Sequence, residues 1–239
     1  MKTIGLLGGM SWESTLSYYQ TINRVVAREL GGLRSAKILL YSVDFHEIEQ
    51  LQQREQWEDA GQRLAAAARA LEAGGADFLV LCTNTMHRVP WQIENAVSLP
   101  LLHIADPTAE CVLAERIERV GLLGTRFTME QPFYRDRLES KFGLRVQVPG
   151  EAERAELHRI IYDELCHGKL VDASRDYCRQ LVAGLVAGGC QGVVLGCTEI
   201  GLLLKSDDTP VPLFDTAELH AEAAARRSLH ADEQGAQLT

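Results

Sequence analysis

Apolar residues along the chain gather in short runs, separated by longer stretches where they recur every three or four positions. The runs lie at 3–7, 37–43, 78–82, 101–104, 119–123, 144–148, 192–195 and 211–214. Each reads as a strand, and the run at 192–195, which follows Gly188-Gly189, is continuous as in a strand buried on both faces. The stretches with helical period cover 11–30, 56–73, 106–117, 129–141, 151–168, 172–188 and 217–230. Ser11 or Ser14 suits the N-cap of the first, with Glu13 in its first turn. Gly31-Gly32 and Gly74-Gly75 end two of these helices. Residues 44–51 form a polar loop or short helix carrying His46 and Glu49, with Gln52 just after it. Pro132 falls in the first turns of the stretch at 129–141, and the tail after Asp232 is expected to fray. Strands alternating with helices predict an α/β fold with parallel sheets.

The pattern also repeats. Leu71 to Thr85 aligns with Leu185 to Glu199 at an offset of 197 − 83 = 114, which sets Thr83 on Cys197, Asn84 on Thr198 and Thr85 on Glu199. Ile4 to Gly8 aligns with Val120 to Gly124 (120 − 4 = 116), and Pro100 to Asp106 with Pro212 to Glu218 (212 − 100 = 112). Three matches in one order at a nearly constant offset indicate a duplicated domain, with a period far beyond that of a solenoid. The expected units are residues 1–104 and 105–216, with the C-terminal helix at 217–232 packing back on the first. Two such halves can pack about a pseudo-twofold axis, so that the ends of equivalent strands face one another across a cleft.

A length of 239 residues accommodates two such units. The apolar share of 46% and charged share of 24% are those of an ordinary globular chain. A net charge of −9 gives no footprint for nucleic acid or an anionic membrane, so an anionic substrate would need a local grip. The six cysteines form no CxxC and no Cys/His pair at zinc spacing, which fits reduced thiols in the cytoplasm. The short N-terminal run ends in Gly8-Gly9 and reads as a strand and not a signal peptide, and no run is long enough for a membrane span.

Chemistry concentrates at strand ends, where open α/β sheets bind ligands. After the run at 192–195 comes Gly196-Cys197-Thr198-Glu199; after that at 78–82 comes Thr83-Asn84-Thr85-Met86-His87. Cys197 is either a reactive thiol or a buried inert one. His87 is either catalytic or structural. Gly8-Gly9-Met10-Ser11 is neither GxGxxG nor a Walker A loop, so a nucleotide role has little support, but the turn lets backbone approach a ligand. Two acid/base groups on opposite sides of one carbon are what racemisation requires, and a pseudo-twofold cleft supplies that geometry. A thiol suits proton abstraction. Backbone N–H groups after positions 84 and 198, with the hydroxyls of Thr85 and Thr198, suit the carboxylate of a planar carbanion. The scheme needs no cofactor, and no residue cluster demands a metal.

The pairing of Thr83-Asn84-Thr85-Met86-His87 with Gly196-Cys197-Thr198-Glu199, together with Gly8-Gly9-Met10-Ser11-Trp12-Glu13-Ser14, resembles the aspartate/glutamate racemase family over almost the whole chain. It looks closest to the members specific for L-aspartate and L-glutamate. The resemblance implies two Rossmann-like α/β domains with the active site between them, cofactor-independent two-base racemisation, a cytoplasmic location and a homodimer. It makes Cys197 and Thr83 catalytic. It puts Met10, Gln52, Asn84, Thr85, Thr198 and Glu199 around the substrate, and makes Lys169 the partner of the substrate's side-chain carboxylate.

The chain departs from the family's pattern, which has Cys-Asn-Thr where this chain has Thr83-Asn84-Thr85. Cys82 is adjacent, but neighbours on a strand point to opposite faces. A hydroxyl can return a proton and is a poor base for removing one, so a lopsided enzyme is expected: Cys197 abstracts from the L-enantiomer and Thr83 reprotonates. The competing readings are isomerisation or decarboxylation of a related diacid, as in the maleate isomerases and arylmalonate decarboxylases of the superfamily, and a non-catalytic protein that binds acidic amino acids.

Overall fold

The apolar runs become strands split between two parallel four-stranded sheets. This is the arrangement in a computed structural model, which describes residues 1–230. The first sheet holds β1 (Ile4–Gly8), β2 (Ile38–Ser42), β3 (Phe78–Leu81) and β4 (Leu101–Leu102) in the order β2-β1-β3-β4. The second holds β5 (Arg119–Gly124), β6 (Arg145–Gln147), β7 (Gly192–Gly196) and β8 (Leu213–Asp215) in the order β6-β5-β7-β8. The two orders are the same, as the internal repeat requires. Register follows suit: Leu7 of β1 pairs with Leu81 of β3, and Leu123 of β5 with Leu195 of β7.

Helices cover both faces of each sheet. They are α1 (Trp12–Leu30), α2 (Phe45–Gln53), α3 (Trp57–Ala73), α4 (Pro90–Glu94), α5 (Ala105–Ala114), α6 (Arg126–Glu130), α7 (Pro132–Asp136), α8 (Glu151–Asp163), α9 (Asp172–Ala187), α10 (Ile200–Leu203) and α11 (Thr216–Leu229). The core of the first half divides by strand alternation. Leu7, Leu79 and Leu81 pack toward α3, whereas Ile4, Leu6, Phe78, Val80 and Cys82 pack toward α1 and α11. In the second half one large cluster surrounds β5 and β7. The last helix lies against α1, where Tyr18 Oη meets His220 Nδ1 at 2.9 Å and Lys2 N–H donates to the Ser228 carbonyl at 2.8 Å. No helix among the described residues is long and apolar enough to cross a membrane. The tail after Asp232 lies outside the described residues.

Several elements differ from the sequence expectation. The stretch at 129–141 is not one helix. Gln131 is extended (ψ 148°) because a residue before proline avoids the helical region, so α6 stops and Pro132 starts α7. The helix expected over 151–168 ends at Asp163, and a separate 3-10 turn, Leu165–His167, follows and closes on left-handed Gly168. Residues 44–51 belong to a true helix, α2, which Asp44 caps by accepting from His46 N–H, so Gln52 sits on that helix and not after it. The short helices α4 and α10 have too few turns to leave a periodic pattern.

Candidate active site

Both paired motifs sit at the carboxyl ends of the central strands, where the strand gives way to a short helical turn. After β3 the chain turns through Thr83 and Asn84 into a 3-10 turn, Thr85–Arg88; after β7 it turns through Cys197 to Glu199 into α10. The first N–H groups of each turn therefore face the strand end. Glycine makes the approach possible. A Cβ on Gly196 would meet Leu122 Cδ1 at 2.7 Å, and Gly9, at φ +94°, is wedged against the backbone of Val43. Gly9 N–H donates to Thr15 Oγ1 at 2.8 Å, which fixes the turn that presents Met10 and Ser11.

The two strand ends meet in one pocket. Thr83, Asn84 and Thr85 line it from one side and Cys197, Thr198 and Glu199 from the other, with Met10, Gln52, Phe45, Thr125, Tyr162 and Cys166 around them. Hydrogen bonds between the halves ring it. Ser11 Oγ donates to Glu199 Oε1 at 2.8 Å. Tyr162 Oη donates to Gln52 Oε1 at 3.1 Å. Thr85 Oγ1 lies 3.2 Å from Thr125 Oγ1. Asn84 Nδ2 donates to Thr216 Oγ1 at 2.9 Å, which in turn donates to the Leu195 carbonyl at 2.8 Å. The free cavity inside this ring is about 20 Å³, room for a water and not for an amino acid. An amino acid needs more room than this cavity offers, so groups around it must shift for one to enter.

The two sides differ in electrostatics. Cys197 Sγ donates to Glu199 Oε2 at 3.0 Å, and Thr198 Oγ1 donates to the same oxygen at 2.8 Å. Burial, the Glu199 carboxylate and Cys166 push the Cys197 thiol well above the ordinary thiol range. The resting proton therefore stays on sulfur, beside a carboxylate placed to accept it. On the other side no carboxylate among the described residues is hydrogen-bonded to the Thr83 hydroxyl. The Thr83 carbonyl is bound by His87 Nδ1 at 2.7 Å. Asn84 Oδ1 is buried with no protein partner. Cys82 turns away from the pocket, its Sγ 3.7 Å from the Val80 carbonyl, and burial raises its thiol as well.

Of the residues singled out from the sequence, Met10, Gln52, Thr83, Asn84, Thr85, Cys197, Thr198 and Glu199 line this pocket. Lys169 does not: it is exposed, on the chain just past the 3-10 turn, and its side chain is not among those lining the pocket. His87 lies behind Thr83 and also outside the lining. Ser11, Phe45, Thr125, Tyr162 and Cys166 were not foreseen as site residues. Ser11 left a signal, as part of the Gly8-Gly9-Met10-Ser11 turn; Tyr162 sits on the last turn of α8, and Cys166 on the 3-10 turn that follows the break after Asp163. No group of three or more metal-ligating side chains occurs among the described residues.

The Asp/Glu/Hydantoin racemase family model matches residues 7–224. An Asp/Glu racemase candidate from Yersinia pestis has a crystal structure 54% identical in sequence, with a TM-score of 0.89 over 96% of this chain and 100% of that one. An aspartate racemase homologue from Pyrococcus horikoshii OT3 is 37% identical, with a TM-score of 0.81 over 96% of this chain and 100% of that one. An aspartate racemase from Picrophilus torridus is 19% identical with a TM-score of 0.77, over 95% of this chain and 94% of that one, which shows the shared fold.

Proposed function

This chain belongs to the Asp/Glu/Hydantoin racemase family, and from that premise we propose that it is a cofactor-independent racemase of L-aspartate and L-glutamate, biased from L to D. The observation that carries this reading is the single pocket at the ends of equivalent strands, with a thiol on one side and a hydroxyl on the other. In this reading residues 1–104 and 105–216 are the two domains that close on substrate, with the last helix packed back on the first.

Catalysis starts with the proton shared between Cys197 and Glu199. Moving it to Glu199 Oε2 leaves a thiolate, and the substrate's ammonium offsets the charge of the pair. The thiolate takes the α-proton of the L-enantiomer, and the electron pair passes into the substrate carboxylate. Hydrogen bonds from the turn N–H groups and from the hydroxyls of Thr85 and Thr198 hold that carboxylate. The Thr83 hydroxyl gives a proton to the opposite face; when the cleft opens, solvent returns a proton to Thr83 and takes the extra one from the Cys197–Glu199 pair. The open lone pairs of Asn84 Oδ1 favour the ammonium as its partner. Met10 and Gln52 complete the wall around the substrate. Lys169 reaches the side-chain carboxylate only if its loop moves inward on closure.

Initial rates from L- and D-aspartate and from L- and D-glutamate in deuterium oxide test this. The expected result is α-deuterium incorporation, faster from the L-enantiomers, and loss of at least about 1,000-fold in Cys197→Ser. Comparable rates from both enantiomers would sink the bias, and absence of α-exchange would sink the enzyme. Cytoplasmic location is part of the proposal, supported by six cysteines that are all unpaired. So is a homodimer, supported by exposed Trp12, Leu16 and Tyr19 at helical spacing on α1 and exposed Leu40 and Tyr41 on the edge strand β2. A monomer in sedimentation equilibrium at micromolar concentration would remove that part.

A further inference from the structure

We infer that His87 is a positioning residue for Thr83, holding the Thr83 carbonyl to the point where the chain crosses from the first half to the second. The inference rests on the racemase reading only for what Thr83 does. The geometry stands independently of it.

The ring of His87 is used at both ends. Nδ1 lies 2.7 Å from the Thr83 carbonyl, and the Ile104 N–H donates to Nε2 at 3.2 Å. A backbone N–H can only donate, so Nε2 is the acceptor and the proton sits on Nδ1, where it donates to Thr83. One neutral tautomer satisfies both bonds; an imidazolium or the other tautomer would set two N–H groups against each other at Ile104. The surroundings favour the neutral ring. His87 is buried, its ring centroid is 4.3 Å from that of His103 and 6.1 Å from that of His220, and burial with these two neighbours lowers its pKa well below the ordinary range.

Ile104 is a specific place to anchor. It ends the segment after β4 and enters α5, and with Ala105, Ala109 and Val112 it packs into the core of the second half. His220 of α11 braces the same segment, with its Nε2 2.9 Å from the Leu102 carbonyl. The second crossing is held from the same loop. Thr216, where the chain enters α11, takes the bond from Asn84 and passes one to Leu195. The five residues Thr83 to His87 thus touch both crossings between the halves. Because the cavity has to open and reclose, the Thr83 hydroxyl returns to the same place only if its backbone is tied to the crossings and not to the moving walls.

Asparagine and glutamine separate the two bonds. An Asn amide nitrogen falls near the position of Nδ1 and can keep the bond to Thr83; a Gln carbonyl reaches the position of Nε2 and can keep the bond from Ile104 only. In His87→Gln the expected kcat from L-aspartate falls about tenfold with KM within about twofold, and His87→Asn recovers most of that loss. Equal losses in both variants, or none in a folded His87→Gln, would overturn the inference. Nitrogen NMR of the wild-type protein decides the matter even if neither variant folds. A protonated Nδ1 with an unprotonated Nε2 at neutral pH is expected, and the reverse tautomer or an imidazolium would overturn it. If the wild-type protein racemises nothing, the functional reading fails while the NMR arm still tests the tie.

Discussion

The ends of β3 and β7 occupy equivalent places in equivalent sheets, yet they are equipped for different work. At β7 the thiol of Cys197 is backed by a carboxylate that also binds Thr198 and, across the cleft, Ser11. At β3 the hydroxyl of Thr83 is backed by a neutral imidazole that binds its carbonyl. A carboxylate beside a thiol is a proton acceptor; an imidazole on a carbonyl is a brace. Duplication supplied two strand ends at one pocket, and a few side chains that differ leave a thiol beside a carboxylate at one and a hydroxyl with an imidazole on its carbonyl at the other. The lesson is that symmetry of backbone does not carry symmetry of chemistry.

The most direct way to break this contrast is Thr83→Cys. It puts an ionisable thiol where the hydroxyl stands, without a carboxylate behind it. The rate from D-aspartate is expected to rise about 100-fold, because a group able to act as a base then faces the D-enantiomer's α-proton. Chiral chromatography of initial products reads this directly. A rate from D-aspartate that does not change would mean that the difference between the two ends lies elsewhere than in the side chain at position 83.

Glu199→Gln sharpens the comparison from the other side. The Cys197 thiol has to lose its proton to act, and the nearby carboxylate is one cause of its raised pKa. In the proposed mechanism Glu199 takes that proton inside the site, so kcat/KM from the L-enantiomer should change little through neutral pH in the wild-type protein. In Glu199→Gln the thiol can lose its proton only to solvent, so kcat/KM at pH 7 falls about tenfold and climbs again as pH rises through the thiol range. A pH–rate profile that matches the wild type would show that Glu199 does not serve the thiol.

Much of this was legible in the chain itself. The duplication made the equivalence of the two halves and the pairing of Thr83 with Cys197 readable, because equivalent buried strands need the same short apolar runs before the same kind of turn. A serine cap for α1 was readable locally, as Ser11 or Ser14, and Ser11 takes the place. What could not be read depends on distant segments meeting. Ser11 and Glu199 are 188 positions apart and Gln52 and Tyr162 are 110 apart, and neither pair leaves a local pattern. Lys169 was assigned by resemblance alone, and the 3-10 turn that ends on Gly168 leaves it exposed. The break at Gln131 was available from Pro132, but the apolar period running through it outweighed the backbone rule.

A second pair of equivalent positions refines the comparison with a smaller effect. His103, after β4, and Asp215, at the end of β8, match in the internal repeat, and both bind the start of the helix that follows. His103 Nδ1 accepts from Ala105 N–H at 3.2 Å, and Asp215 Oδ1 accepts from Ala217 N–H at 2.9 Å and Glu218 N–H at 3.2 Å. Burial favours the neutral form at both, lowering His103 to about 2 and raising Asp215 to about 6. The consequences at neutral pH are opposite. His103 is then uncharged and costs nothing, whereas Asp215 is charged in surroundings that disfavour it. Its folded pKa lies above the ordinary 3.8, so the folded protein binds more protons than the unfolded chain between about pH 4 and 6, and stability from this group falls as pH rises through that window. Asparagine caps a helix as well as aspartate does. Asp215→Asn should therefore raise the melting temperature at pH 7 by a few degrees. That corresponds to about 1 kcal/mol, because the carboxyl also borders an open groove lined by Arg24 and Lys205 that screens it. The gain should shrink through pH 6 and vanish near pH 4, while racemisation changes little. A gain that persists at pH 4 would trace to the amide's own contacts and not to the charge.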